Sequence, residues 1–144
     1  MSIFSGMEIS ASGMKAERTR LDLTSLNIAN VNNVNEAGSP VYKAKRVVTS
    51  EGSTGFKTFL SGVRTSENLG VKINSIYEEP TNPRLVYEPN HPFANKEGYV
   101  AYPDINVLEE MVHSITASRS YDANLTAFNE SKRMINKAMD IGKA

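Results

Sequence analysis

Few residues in this chain have a type and spacing that could do chemistry. The two histidines, His91 and His113, stand far apart, each alone among its neighbours. His91 lies in a proline-flanked turn, and His113 falls on the exposed side of a helical stretch. A metal ion needs three or four converging ligands, and neither neighbourhood offers them. The chain has no cysteine, which excludes thiolate sites and disulfides alike. Glu109 and Glu110 are adjacent carboxylates, but consecutive residues on a helix splay apart by about 100°. They read as first-turn acids rather than as a general acid–base pair. No nucleophile elbow, phosphate-cradling glycine loop or dinucleotide fingerprint occurs. Asn124-Leu-Thr126 and Asn129-Glu-Ser131 match the glycosylation sequon, yet both fall in mid-helix, where chance explains them better. Lys43, Lys45 and Arg46 alternate with apolar residues, the pattern of a solvated strand face. An enzyme is not indicated, and no cofactor or metal is expected.

The elements that must position these residues fall into three regions. Residues 1–33 read as an N-terminal helix, in which Met7, Met14, Leu21 and Ile28 recur at intervals of seven, a thin coiled-coil-like seam. Ser10, Glu17 and Thr24 occupy the places of a second apolar column. Gly6 and Gly13 each cost a helix interior about 1 kcal/mol, so the first turns are expected to fray unless something packs on them. The sharper reading is that the glycines permit close helix approach on assembly.

Residues 34–103 hold all six prolines. Segments 41–49, 55–62, 71–77 and 84–88 are predicted strands, from their β-branched and aromatic content and glycine boundaries. Residues 50–70 read as a loop. The proline spacing over 78–103 forbids helix and predicts an extended excursion anchored by Phe93, Tyr99, Val100 and Tyr102. Residues 104–144 form the clearest element. Leu108, Met111, Ile115, Leu125, Phe128, Ile135 and Met139 follow a helical period. Asn106 and Glu109 suggest a capping box, the charge placement complements the helix dipole, and Gly142 closes the helix. The expected fold is α+β: two long terminal helices in an antiparallel, coiled-coil-like pair, with a small β-rich middle.

Such a pair buries only the stripe between its members, so neighbouring copies or homologous chains are expected to cover the rest. Two readings of the interleaved amides Asn27, Asn30, Asn124 and Asn129 fit the periodicity equally: bonds across packed helices, which select register, or plain exposure to water. Sixteen bases against sixteen acids remove the electrostatic case for nucleic acid or an anionic membrane. No apolar run is long enough to span a bilayer. The start, MSIFSGMEISASGMKAE, lacks the basic n-region of a secretory signal, so if the protein leaves the cytoplasm it is expected to do so without a cleaved leader.

At this point the residues carry a resemblance. SLNIANVNN at 25–33 resembles the N-terminal motif of the bacterial flagellar rod and hook proteins, the axial family. Residues 87–132 are similar to the C-terminal half of its proximal rod class, through HP at 91–92, GYVAYP at 98–103, N-V-x-E-E-M-V at 106–112 and SRSYDAN at 118–124. The resemblance implies a structural subunit of the proximal rod of the basal body, spanning the periplasm. Its terminal helices would pack into a torque-transmitting tube wall and its β-rich middle would lie outside. Implied partners are other proximal rod proteins, the membrane-ring adaptor, the distal rod proteins and the flagellar type III export apparatus. Met7, Met14, Leu21, Ile28, Leu108, Met111, Ile115, Leu125, Phe128 and Ile135 would be interface seams, with Asn27, Asn30 and Asn124 bonding between subunits. The chain lacks the glycine that relatives often carry before Tyr42, so that turn is expected to differ. Two other classes compete with the rod subunit: a helical adaptor or chaperone binding through its amphipathic termini, and a small glycan-cleaving enzyme. The enzyme needs two carboxylates across a cleft, and no such pair can be placed. A protected helical pair in the isolated chain would favour the adaptor.

Overall fold

A computed structural model describes residues 4–36, 38–52 and 70–142. Helix α1 spans Ser5–Ala29 and helix α2 spans Val107–Ile141. Between them lie β1 (Asn35–Glu36), β2 (Lys45–Glu51), β3 (Val71–Glu78), β4 (Arg84–Tyr87) and β5 (Tyr99–Tyr102). The fold is α+β, with the two helices paired as expected. α1 is shorter than its sequence pattern, because beyond Ala29 the chain tightens into turns through Asn30 and Val31.

α2 begins where Asn106, in extended backbone, accepts a hydrogen bond from the Leu108 amide at 3.1 Å. The other half of the capping box is replaced: Glu109 turns to His113, 3.6 Å away. At the far end Gly142 keeps a right-handed φ of −75°, so the helix stops there without using glycine's left-handed freedom. Its 35 residues make a rod about 52 Å long.

The helices run antiparallel in constant register. A Cβ on Gly6 would touch Ser131, a Cβ on Gly13 would touch Asn124, and Asn27 meets Glu110; each pair of residue numbers adds to the same total. The buried line of α1 comprises Ser10, Gly13, Ala16, Leu23, Thr24 and Asn27. This corrects the sequence reading. The inward face is built on the small, polar column, whereas Met7, Met14, Leu21 and Ile28 flank it and are only half-buried. Small side chains win this position because they let the two backbones approach, which bulky methionines would prevent. The close approach expected of the glycines on assembly is already made inside the chain.

The described residues of the middle region form two small antiparallel sheets. β2 and β3 pair from Lys45↔Glu78 to Glu51↔Val71, with a bulge after Val48. β5 lies between β1 and β4. The predicted strands at 41–49, 71–77 and 84–88 are thus observed with shifted limits. Residues 50 and 51 belong to β2 rather than to a loop, and the strand predicted at 55–62 lies outside the described residues. β5 was not foreseen: Tyr99, Val100 and Tyr102, expected as anchors of an extended excursion, form its central strand, and Val100 is fully buried. The excursion before it is held by Asn95, whose side chain accepts from the amides of Glu97 and Tyr99. Gly98 has φ of 82°, and any Cβ there would lie 2.8 Å from the Tyr87 ring.

The β2–β3 ribbon lies along α1. At one end Asn27 bonds the backbone of Lys45; at the other, Ser12 Oγ accepts from the Val71 amide at 3.0 Å. Among the described residues the apolar core is small: Ala16, Leu23, Ala44, Val100, Ala101 and Ala117.

Candidate assembly interface

Among the described residues, two of the three largest fully buried side chains are polar, Asn27 and Glu110. A buried amide or carboxylate without partners is costly, so their partners decide what they do. Asn27 satisfies all four of its positions. Its Nδ2 donates to the Lys45 carbonyl (3.1 Å) and to Glu110 Oε2 (3.0 Å). Its Oδ1 accepts from Tyr42 Oη and from the Lys45 amide, both at 2.9 Å. Glu110 Oε1 stands 2.6 Å from Arg46 Nη1, and Arg46 Nε reaches Glu79 at 3.3 Å. Burial lowers the guanidinium's affinity for its proton, but Glu110 and Glu79 more than offset this and hold Arg46 above its ordinary value. The Tyr42 phenol is raised by burial, then by Glu110 and Glu78, so it stays a donor to Asn27. The node joins α1, the start of β2 and the first turn of α2.

Sequence reasoning missed this node. Arg46 read as one base of a solvated strand face, and Glu110 as a first-turn acid beside Glu109. No local signal pointed to it: two adjacent acids on a helix lie about 100° apart, and the pattern does not say whether either turns inward. Asn27 also changes role, since its hydrogen-bonding capacity is filled within the chain and none is left for a neighbouring subunit. Asn30 bonds back to the Leu26 carbonyl at 2.8 Å, and Asn124 to the Ser120 carbonyl at 3.0 Å.

The apolar residues of α2 face elsewhere. Leu108 is 71% exposed, Met111 50%, Ile115 56% and Leu125 40%; Phe128 and Ile135 are half-buried. Val112, Met134, Met139 and Ile141 are exposed as well, as is Leu26 on α1. Helical apolar patterning normally marks the face a helix hides. Here the hidden face carries Glu110, Ala117 and Asn124, and much of the apolar pattern meets solvent. Large apolar side chains left exposed in this number are a feature that interaction surfaces share. Among the described residues no three His, Asp or Glu side chains group as a metal site would require, and no helix is long and apolar enough to cross a membrane.

Comparison with known proteins agrees with both ends of the chain. The family described as flagella basal body rod protein matches residues 7–35, and that described as flagellar basal body rod FlgEFG protein C-terminal matches residues 96–141. The flagellar basal-body rod protein FlgC of Bacillus subtilis is 40% identical over 152 residues, covering 99% of this chain and all of the relative. The proteins of the same name from Salmonella typhimurium and Borreliella burgdorferi are each 34% identical, over 143 and 151 residues. They cover 99% and 98% of this chain and 100% and 98% of themselves.

Proposed function

Since this chain belongs to the flagellar basal-body rod protein family, a structural component of the basal body, we propose that it is a proximal rod subunit. It polymerises through its terminal helices into the wall of a torque-transmitting shaft that also encloses the export channel. The observation that carries this reading is the exposed apolar face of α2, at Leu108, Met111, Ile115 and Leu125. The intramolecular seam uses small and polar residues instead, so the face is left for other chains. Met7, Met14, Leu21 and Ile28, half-buried beside the seam, are completed by neighbours in the same way, and Phe128 and Ile135 continue the contact. Asn30, whose oxygen already accepts from Asn33 at 3.4 Å, offers its second amide hydrogen for a bond between subunits, and Asn124 offers its oxygen and second hydrogen.

The chain divides by role into assembly helices at 1–33 and 104–144 and a middle at 34–103 that lies on the outer side of the wall. Its partners are other proximal rod proteins, the membrane-ring adaptor and the distal rod proteins. It reaches the periplasm through the flagellar type III export apparatus. Tracing this chain in an electron-microscopy map of intact basal bodies tests the reading. Leu108, Met111, Ile115 and Leu125 should be covered by adjacent chains; finding them bare, or the chain absent from the rod, overturns it and favours an adaptor.

A further inference from the structure

The β2–β3 ribbon is pinned to α1 at two points, through Asn27 and through Ser12. Between these points it leaves a cavity of about 210 Å³ against α1 and the start of α2. α1 lines the cavity with Arg20 and Thr24, the ribbon with Lys45, Arg46 and Tyr77, and α2 with His113. Among the described residues no carboxylate lines it. At roughly 30 Å³ for each water, the space takes a phosphate or carboxylate group with several waters.

Arg46 is already engaged by Glu110 and Glu79. The other donors are not. Arg20 Nε stands 3.8 Å from Glu17 Oε2, and Lys45 Nζ stands 4.0 Å from Glu78 Oε1, both beyond hydrogen-bond length. Neither side chain hydrogen-bonds to another described residue, although a guanidinium carries five donors and an ammonium three. His113 Nε2 is 3.6 Å from Glu109, and the Tyr77 hydroxyl bonds to no described residue. Thr24, buried, spends its hydroxyl hydrogen on the Leu21 carbonyl. Glu17, Glu78, Glu79, Glu109 and Glu110 stand behind these bases, so the surroundings carry no surplus positive charge. An occupant must be held by directed bonds rather than by a field, and it must be rich in acceptors. An apolar group or a cation would leave the donors unmade.

We propose that this cavity is a site for an oxyanion, a carboxylate or phosphate whose oxygens take hydrogens from Arg20, Lys45 and Tyr77 together. Charge-assisted bonds of this kind are about twice as strong as neutral ones, and each is worth about a tenfold change in affinity. The oxyanion has two sources: a small free anion, or an acidic side chain inserted by a neighbouring chain. Water is the competing occupant, since a polar cavity of this size admits it. The site stands whether or not the chain enters the rod.

In the purified full-length chain, sodium phosphate replacing sodium chloride at fixed ionic strength should shift the amides of Arg20, Thr24, Lys45 and Tyr77 saturably in two-dimensional NMR. The amide of Met139, on the order of 40 Å along α2 from His113, should stay in place. Arg20→Gln and Lys45→Gln should each weaken the binding about tenfold. Lys137→Gln, which removes a charge from the tail of α2, should not. Should either cavity variant fail to fold by circular dichroism, the wild-type amide map still decides. If phosphate produces no such shift, the neighbouring chain is left as the source. A density map of basal bodies then separates the two: an acidic side chain from an adjacent chain in the cavity identifies one, and isolated density there the other. Binding in solution with neither present in the assembled rod marks an adventitious ion only and sinks the proposal. Water alone in both settings overturns it as well. Absence of the chain from the rod would sink the rod reading instead and leave the titration to decide.

Discussion

At the scale of single residues the molecule depends on a few polar groups that have no water to fall back on. Glu110 is 1% exposed, and Arg46 supplies its ion pair. Arg46→Met leaves the carboxylate buried without its charge partner, a loss of about 3–5 kcal/mol that urea unfolding of the purified chain should detect. Adding Glu110→Leu removes the orphaned charge and should recover part of that stability, although Asn27 then keeps an unpaired amide hydrogen. Tyr42 gives the node a pH dependence of known sign. Because burial, Glu110 and Glu78 raise its pKa in the folded chain, the folded state holds this proton more tightly than the unfolded one. Its contribution is complete below the ordinary tyrosine value and declines as pH rises from about 10 towards the folded-state value. Between about pH 9 and 11 the wild type should therefore lose more stability than Tyr42→Phe. None of this was legible in the sequence, because Arg46 and Glu110 are 64 residues apart and local pattern assigns each a surface role. The Asn106 cap was legible, since its oxygen and the amide it accepts lie two residues apart.

At the scale of elements, the two glycines of α1 separate propensity from packing. A methyl group at Gly6 would lie 3.4 Å from Ser131 Oγ, an ordinary contact, so Gly6→Ala should stabilise the chain by up to about 1 kcal/mol. At Gly13 the same methyl group would come within 2.9 Å of Asn124. Gly13→Ala should therefore gain little or lose stability, and Gly13→Ala/Asn124→Ala should restore the difference in thermal unfolding. Helix existence was readable from periodicity and from the lack of proline in 104–141, and so were the approximate limits of α2, whereas α1 stops short of its pattern at Ala29. Which face turns inward was not, because apolar periodicity reports the sum of all burial, in this chain and in its neighbours. β5 escaped notice for a different reason: its four residues are preceded closely by Pro89 and Pro92 and followed by Pro103, and a short strand among prolines resembles a turn-rich loop.

At the scale of the whole molecule, the outward apolar face separates folding from assembly. Leu125 is 40% exposed, so Leu125→Asp should change unfolding free energy by no more than about 0.5 kcal/mol while abolishing motility and rod assembly. Circular dichroism of the variant alongside swimming assays would check both halves; a swimming strain would count against the interface. The family was readable from the sequence because its motifs cluster at the two ends, where the matches at 7–35 and 96–141 fall. The buried node has a further consequence for timing. Its groups come from positions 27, 42, 46, 79 and 110, spread over most of the polypeptide, and linking such distant positions is slow and late in folding. A chain threaded lengthwise through a narrow conduit, whichever end leads, cannot close this joint until more than half of it has emerged. A fragment ending at residue 105 should accordingly show no cooperative unfolding, and any chain fed through such a conduit would be kept by this joint from knotting up inside it.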